Sequence, residues 1–125
     1  MKTVLVSGGS RGIGRAIVKK AAKAGYAVAF TYSRSDGEAA ELVAELAKDG
    51  VMVSAYKADN ADGDALKRVA EEVAANFGGI YALVNNAAVS RIAPLIDFSD
   101  EEISRMLAVN LEGAIKLTKA VCPYM

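Results

Sequence analysis

Ser7-Gly8-Gly9-Ser10-Arg11-Gly12-Ile13-Gly14 is the stretch on which the fold turns. The compact apolar run Thr3-Val4-Leu5-Val6-Ser7 leads into it, as expected of a strand buried on both faces. From Gly12 onward the spacing becomes helical, with Ile13, Ala16, Ile17, Ala21 and Ala24 sharing a face and Gly25 marking the stop. The stretch is therefore a turn joining a first strand to a first helix. By itself a glycine-rich turn is only a tight connection. Its position here gives it a second meaning, because a phosphate reaches a helix N-terminus only where no side chain blocks the approach. Gly12 and Gly14 provide that clearance, and the free N–H groups with the helix dipole favour an anion. This points to the pyrophosphate of a dinucleotide. A P-loop is excluded, since Gly14 is followed by Arg15-Ala16 and not by Lys and Ser/Thr. The G-x-G-x-x-G pattern also fails, with Ile17 at the third glycine position, leaving the variant Gly8-x-x-x-Gly12-x-Gly14.

Downstream, the two periodicities alternate. Ala27 to Tyr32 reads as a second strand, Asp36 to Gly50 as a helix with Ala39, Leu42, Val43, Leu46 and Ala47 inward, and Val51 to Tyr56 as a third strand. From Asp64 to Phe77, the residues Leu66, Val69, Ala70, Val73, Ala74 and Phe77 make the clearest helical stripe in the chain. Gly78-Gly79 ends it, and Ile80 to Val84 reads as a fourth strand. Ser99-Asp100-Glu101-Glu102 has capping-box spacing and opens a last long helix running toward Pro123. The order βαβαβαβα predicts an α/β fold: an open parallel sheet with right-handed crossovers and helices on both faces, in one domain spanning residues 1–125.

Composition narrows the function. With 53% apolar and 24% charged residues among 125, the chain belongs with globular rather than disordered proteins. Fifteen basic residues balance 15 acidic ones, which argues against nucleic acid or an anionic membrane as the main partner. The absence of histidine excludes Ser-His-Asp and Cys-His catalysis and any His-ligated metal, so no metal site is expected. The one cysteine, Cys122, cannot form an internal disulfide, which fits a reducing cytoplasm. Only three apolar residues separate Met1-Lys2-Thr3 from Ser7, too few for a signal-peptide core, and no apolar run approaches the ~20 residues that span a bilayer. Cys122 and the methionines read as packing residues.

Three motifs in sequence order, Gly8-x-x-x-Gly12-x-Gly14, Asn85-Asn86-Ala87 and Asn110, give the chain a resemblance to the short-chain dehydrogenase/reductases, Rossmann-like NAD(P)-dependent enzymes. The resemblance extends over essentially all 125 residues. Within that family, Ser7 to Ile17 and Val84 to Ala87 look most like the 3-oxoacyl-[acyl-carrier-protein] reductases of fatty acid biosynthesis. It implies that Gly8, Ser10, Arg11, Gly12, Ile13 and Gly14 hold the cofactor pyrophosphate. It also implies that Asp59 accepts from the adenine amino group while the backbone of Asn60 completes the contact. Asn85 and Ala87 would line the nicotinamide ribose and adenine sides, with Asn86 tying its strand to the neighbouring one. An apolar residue is usual where Asn60 stands, and Gly where Ala88 stands, so a methyl group there narrows the cleft or forbids a positive φ. Asp59 could equally be a loop residue or a cap for the helix beginning near Asp62.

Cofactor choice rests on the end of the second strand, where an acid would bond a ribose 2′-hydroxyl and a 2′-phosphate needs positive charge. The chain has Tyr32-Ser33-Arg34 and no acid before Asp36. Arg34 and Arg11 both suit a 2′-phosphate, so NADP(H) is expected. Asn110 falls on the apolar face Ile103, Met106, Leu107, Leu111, Ala114 and Ile115, where an amide needs partners. The resemblance gives it a catalytic place, positioning a water in a proton relay; the alternative is a structural amide.

Carbonyl reduction in this family also needs a Tyr with Lys four residues later and a Ser. No Tyr qualifies: Tyr26, Tyr32, Tyr56 and Tyr81 are followed at that spacing by Phe30, Asp36, Asn60 and Asn85, and Tyr124 is next to last. The expectation is the cofactor-binding half of an NADP(H)-dependent reductase acting on a small carbonyl substrate, without the Ser and Tyr-x-x-x-Lys. A non-catalytic nucleotide-binding module and an oligomerising fragment are the alternatives. The unpaired edge Ala82-Leu83-Val84, or the apolar face of the last helix, is expected to make a homo-oligomer.

Overall fold

A computed structural model describes residues 1–125. Its strands are β1 (Thr3–Val6), β2 (Ala27–Tyr32), β3 (Val53–Lys57) and β4 (Ala82–Val84). Its helices are α1 (Gly12–Lys23), α2 (Asp36–Lys48), α3 (Gly63–Phe77), α4 (Asp100–Leu107) and α5 (Gly113–Val121). The strands form one sheet in the order β3-β2-β1-β4, and every pairing is parallel, with Val4 opposite Val28 and Ala82, and Phe30 opposite Ala55. This is the open parallel sheet that the alternating periodicity predicts, in the Rossmann-like form that the resemblance implies.

Alternation along β1 and β2 sends side chains to two separate cores. Val4, Val6, Val28 and Phe30 pack with Val18 and Ala22 of α1 and Ala39, Leu42 and Leu46 of α2. Leu5 and Ala29 face the other way, onto Leu66, Val69, Ala70 and Val73 of α3 and Leu117 and Val121 of α5. Leu5, Leu42, Leu66 and Leu117 are fully buried, and cutting any of them back to Ala costs about 2–5 kcal/mol. α3 starts on Asp62, whose carboxylate accepts from the Ala65 N–H at 3.1 Å. No helix is long and apolar enough to cross a membrane.

Several sequence expectations need correction. β3 begins at Val53 and β4 at Ala82, so Val51, Met52, Ile80 and Tyr81 lead into the strands. In α1 the buried line is Gly14, Val18 and Ala22, while Ile13, Ala16 and Ala24 are exposed. Alanine fits either face, and the expected stripe was rotated by about one residue. Ala47 of α2 is exposed for the same reason. The last long helix is two, α4 and α5, joined through a π turn at Ala108–Glu112. Its expected inner face lies outside: Ile103, Leu107, Leu111 and Ile115 are exposed, while Val109, Gly113, Leu117 and Val121 are buried. Cys122 is exposed, as are Met1, Met52 and Met125.

Candidate functional site

A cleft of about 790 Å³ opens at the carboxyl ends of the strands, the place where open parallel sheets bind ligands. One wall is the turn between β1 and α1. Gly8 and Gly12 have φ of +69° and +55°, and space is open around Gly12. Gly9 and Gly14 serve close packing instead. A Cβ on Gly9 would press into Phe30, and one on Gly14 would fall on the Gly8 carbonyl oxygen. α1 opens behind this turn with no side-chain cap and no acidic residue in its first turn. Its leading N–H groups therefore lack intrahelical acceptors and present a partial positive charge.

The turn is held from both sides. The Gly8 N–H donates to Thr31 Oγ1 at 3.1 Å, and the Gly9 N–H to the Thr31 carbonyl at 2.9 Å. Beyond β4, Asn86 Nδ2 donates to the carbonyls of Ser7 (3.2 Å) and Gly8 (3.0 Å). Ser7 Oγ accepts from the N–H groups of Asn86 and Ala87, both at 3.0 Å. Asn86 thus ties its strand end to the glycine turn, as the resemblance implies. Arg15 adds a brace that sequence reading missed, donating to the carbonyls of Ser10 (3.1 Å) and Glu38 (3.0 Å).

The opposite wall is built from side chains. Tyr32 ends β2 and Ser33 and Arg34 follow it, while Asp59 and Asn60 follow β3. Asp36, the first acid after β2, lies outside the cleft and pairs with Lys57 at 3.1 Å. Arg11 stands 3.7 Å from Glu38, both exposed. Asp59 Oδ1 accepts from the Ala61 N–H at 2.9 Å, and Oδ2 pairs with Arg105 of α4 at 2.8 Å. Burial pushes the Asp59 carboxyl upward, but the Ala61 N–H, the Arg105 bond and the charges of Arg105 and Arg34 together hold it below its ordinary value. Asp62, not Asp59, caps α3. Asn60 Nδ2 donates to the Val109 carbonyl at 2.8 Å, while its Oδ1 is buried without a partner.

Of the residues expected at the site, Gly8, Ser10, Arg11, Gly12, Tyr32, Ser33, Arg34, Asp59, Asn60 and Ala87 share this cleft. Four do not line it. Ile13 points to solvent at 75% exposure. Gly14 lies beneath the turn. Asn85 turns to α5, its Nδ2 donating to Thr118 Oγ1 at 3.0 Å. Asn110, expected on a core-facing stripe, is exposed in the π turn. Its amide is used twice on one residue, Oδ1 accepting from the Val89 N–H and Nδ2 donating to the Val89 carbonyl, both at 2.8 Å. Ala88 lines the cleft without a positive φ, so its methyl group imposes no backbone strain. Arg105 and Val109 complete the wall and carried no signal in the sequence.

A glycine turn into an uncapped helix, at the carboxyl edge of a sheet ordered β3-β2-β1-β4, defines a Rossmann-like nucleotide-binding unit. The chain belongs to the short chain dehydrogenase family, whose sequence profile matches residues 2–125. It is 37% identical over 124 residues to a 3-oxoacyl-[acyl-carrier-protein] reductase of Staphylococcus epidermidis, covering 99% of this chain and 51% of that protein. An L-rhamnose 1-dehydrogenase (NAD(P)(+)) of Sphingomonas is 36% identical, over 99% of this chain and 49% of that one. A short chain dehydrogenase of Burkholderia cenocepacia, solved in complex with NADP, superposes with a TM-score of 0.96 at 40% identity, covering 99% of this chain and 51% of that chain. The chain spans about half the length of the relatives it matches.

Proposed function

We propose that this chain holds NADP(H) for an oxidoreductase that interconverts a small carbonyl compound and its alcohol. The observation that carries this reading is the uncapped N-terminus of α1 behind the Gly8–Gly12 turn, facing a cleft lined by three arginines and one aspartate. The residues present fit the group. Gly12 leaves open space where a phosphate would sit, Ser10 and the leading N–H groups at Gly12, Ile13 and Gly14 supply donors, and the positive end of α1 attracts the charge. Arg34 and Arg11 would take the 2′-phosphate; Asp36, the first acid after β2, is bonded to Lys57, and Glu38 stands 3.7 Å from Arg11. Asp59 would accept from the adenine amino group beside the Asn60 backbone, and Ala87 would border the nicotinamide ribose. When bound, the nicotinamide supplies or accepts a hydride. Because the Asn110 amide is engaged with Val89, we assign it to ordering the loop after β4 rather than to gripping a relay water.

The relatives matched here act on unlike compounds, an acyl thioester and a sugar by their names, so the carbonyl substrate is assigned only as a class. A 3-oxoacyl thioester is the first to test, on the strength of the Staphylococcus relative. Titrating the protein with NADPH and following the nicotinamide fluorescence tests the binding reading directly. Saturable enhancement is expected, and none at millimolar NADPH would overturn it. We place the protein in the cytoplasm, where the exposed, unpaired Cys122 stays reduced.

A second reading concerns assembly. Ile103, Leu107, Leu111 and Ile115 form an exposed apolar row along α4 and α5, and β4 is an edge strand bonded on one side only. Both features support a homo-oligomer through that row or that edge. Light scattering should give at least twice the mass of one chain; a monomer at high concentration would sink the idea.

A further inference from the structure

Asp59 and Asn60 are pinned to the same helical rod by two different bonds. Asp59 Oδ2 meets Arg105 Nη1 at 2.8 Å, and Asn60 Nδ2 donates to the Val109 carbonyl at 2.8 Å. The second bond is neutral and buried, and together with the Ala58 N–H bond to the Tyr32 carbonyl and the Asp62 N–H bond to the Asp59 carbonyl, both at 2.9 Å, it anchors the loop after β3. The ion pair adds a hold on the Asp59 carboxylate itself. An aspartate carboxylate rotates about its last bond unless both oxygens are engaged. Here Oδ1 is fixed by the Ala61 N–H and Oδ2 by Arg105, so the plane of the group is set. A carboxylate offers about four lone-pair sites and only accepts, which leaves acceptor capacity at the cleft wall for an N–H donor.

We infer that Arg105 is a positioning residue that orients the Asp59 carboxylate, so that the cleft selects a purine carrying an exocyclic amino group over one carrying a carbonyl at the same place. This rests on the proposal that the cleft holds NADP(H) with adenine at Asp59. Arg105 acts from α4, 46 positions further along the chain, through its 2.8 Å bond to Asp59. The lowered pKa of Asp59 agrees with this arrangement, since the charges facing it, Arg105 from α4 and Arg34 from the loop after β2, are both positive.

The test compares NADPH with its deaminated analogue, in which hypoxanthine replaces adenine, by fluorescence titration of the protein and three variants. The unaltered protein should bind NADPH about tenfold more tightly than the analogue, the scale of one hydrogen bond to a charged group. Arg105→Gln keeps a good helix former on α4 and should shrink that ratio to about twofold or less, chiefly by weakening NADPH. Arg105→Lys, which keeps the charge without the planar fork, should fall between. In an Asp59→Asn background, Arg105→Gln should change the ratio no further, because the two act through one contact. A ratio unchanged in Arg105→Gln, or lost equally with and without Asp59, overturns the positioning role. Failure of the unaltered protein to bind NADPH at all overturns the underlying cofactor reading instead. Thermal unfolding of each variant separates both results from loss of fold.

Discussion

The two walls of the cleft are made of different materials. The wall from Ser7 to Gly14 is almost all backbone: positive-φ glycines, main-chain carbonyls and N–H groups, fastened by Asn86, Thr31 and Arg15. The wall from Tyr32 to Arg34 and Asp59 to Asn60 depends on side chains, with Arg105 and Asp59 as its fixed pair. A backbone wall recognises what every dinucleotide has in common, because a pyrophosphate needs only N–H groups and room. A side-chain wall recognises what differs between dinucleotides, the 2′ substituent and the base, with Arg11 of the turn sharing the 2′ substituent. The first should fail by steric change and be indifferent to pH, whereas the second should fail by charge change and leave the fold intact.

The largest effect expected is on the backbone wall. Gly14→Val places a branched side chain against the Gly8 carbonyl and Asn86, which must part to admit it. Overpacking of this kind costs about 3 kcal/mol or more. Denaturant unfolding should register that loss, and binding of NADPH and NADH should vanish together. Retained binding of either cofactor would break the contrast between the walls.

Arg34→Asp ranks next and addresses the other wall. It should weaken NADPH by roughly tenfold or more, the scale of a charge-assisted phosphate contact, and leave NADH nearly unchanged. Its unfolding midpoint should stay within that of the unaltered protein, since Arg34 is exposed. Equal losses for the two cofactors would show that Arg34 does not read the 2′-phosphate.

The smallest effect is in acid. The folded-state pKa of Asp59 lies below its ordinary value of 3.8. The stability this group contributes is therefore complete above that pH and declines as pH falls through the lowered folded value. The stability gap between the protein and Asp59→Asn, followed by circular dichroism, should accordingly close in strong acid and stay constant from pH 5 upward. A gap that persists at the acid end would mean that Asp59 serves packing and not charge.

The sequence made some of this plain. β2 and α3 are bounded to within a residue, because Ala27 to Tyr32 is a compact run rich in apolar and β-branched residues and α3 carries its own stop at Gly78. The glycine turn and Asn86 were legible because their chemistry is local to a short motif. Arg105 was invisible, since its partner lies 46 positions earlier and no spacing rule links a loop aspartate to a distant helix. The side chains of Ile13 and Asn85 lie away from the cleft for a different reason: being in a motif fixes a backbone position without fixing where a side chain points. The outward apolar row on α4 and α5 was mistaken for core because the rod carries apolar residues on two sides.

That rod also hides a counting problem. Its buried line, Val109, Gly113, Leu117 and Val121, and its outer row, Ile103, Leu107, Leu111 and Ile115, both repeat every four residues. A regular α-helix gains about 40° on each four-residue step, so such lines drift around it. The wider π turn at Ala108–Glu112 takes up part of that drift with a surplus residue. Its length is thus a matter of indels: losing one residue between 108 and 112 would swing everything beyond by about 100°, carrying Leu117 and Val121 away from α3. Substitutions in that stretch keep the register, whereas a deletion breaks it.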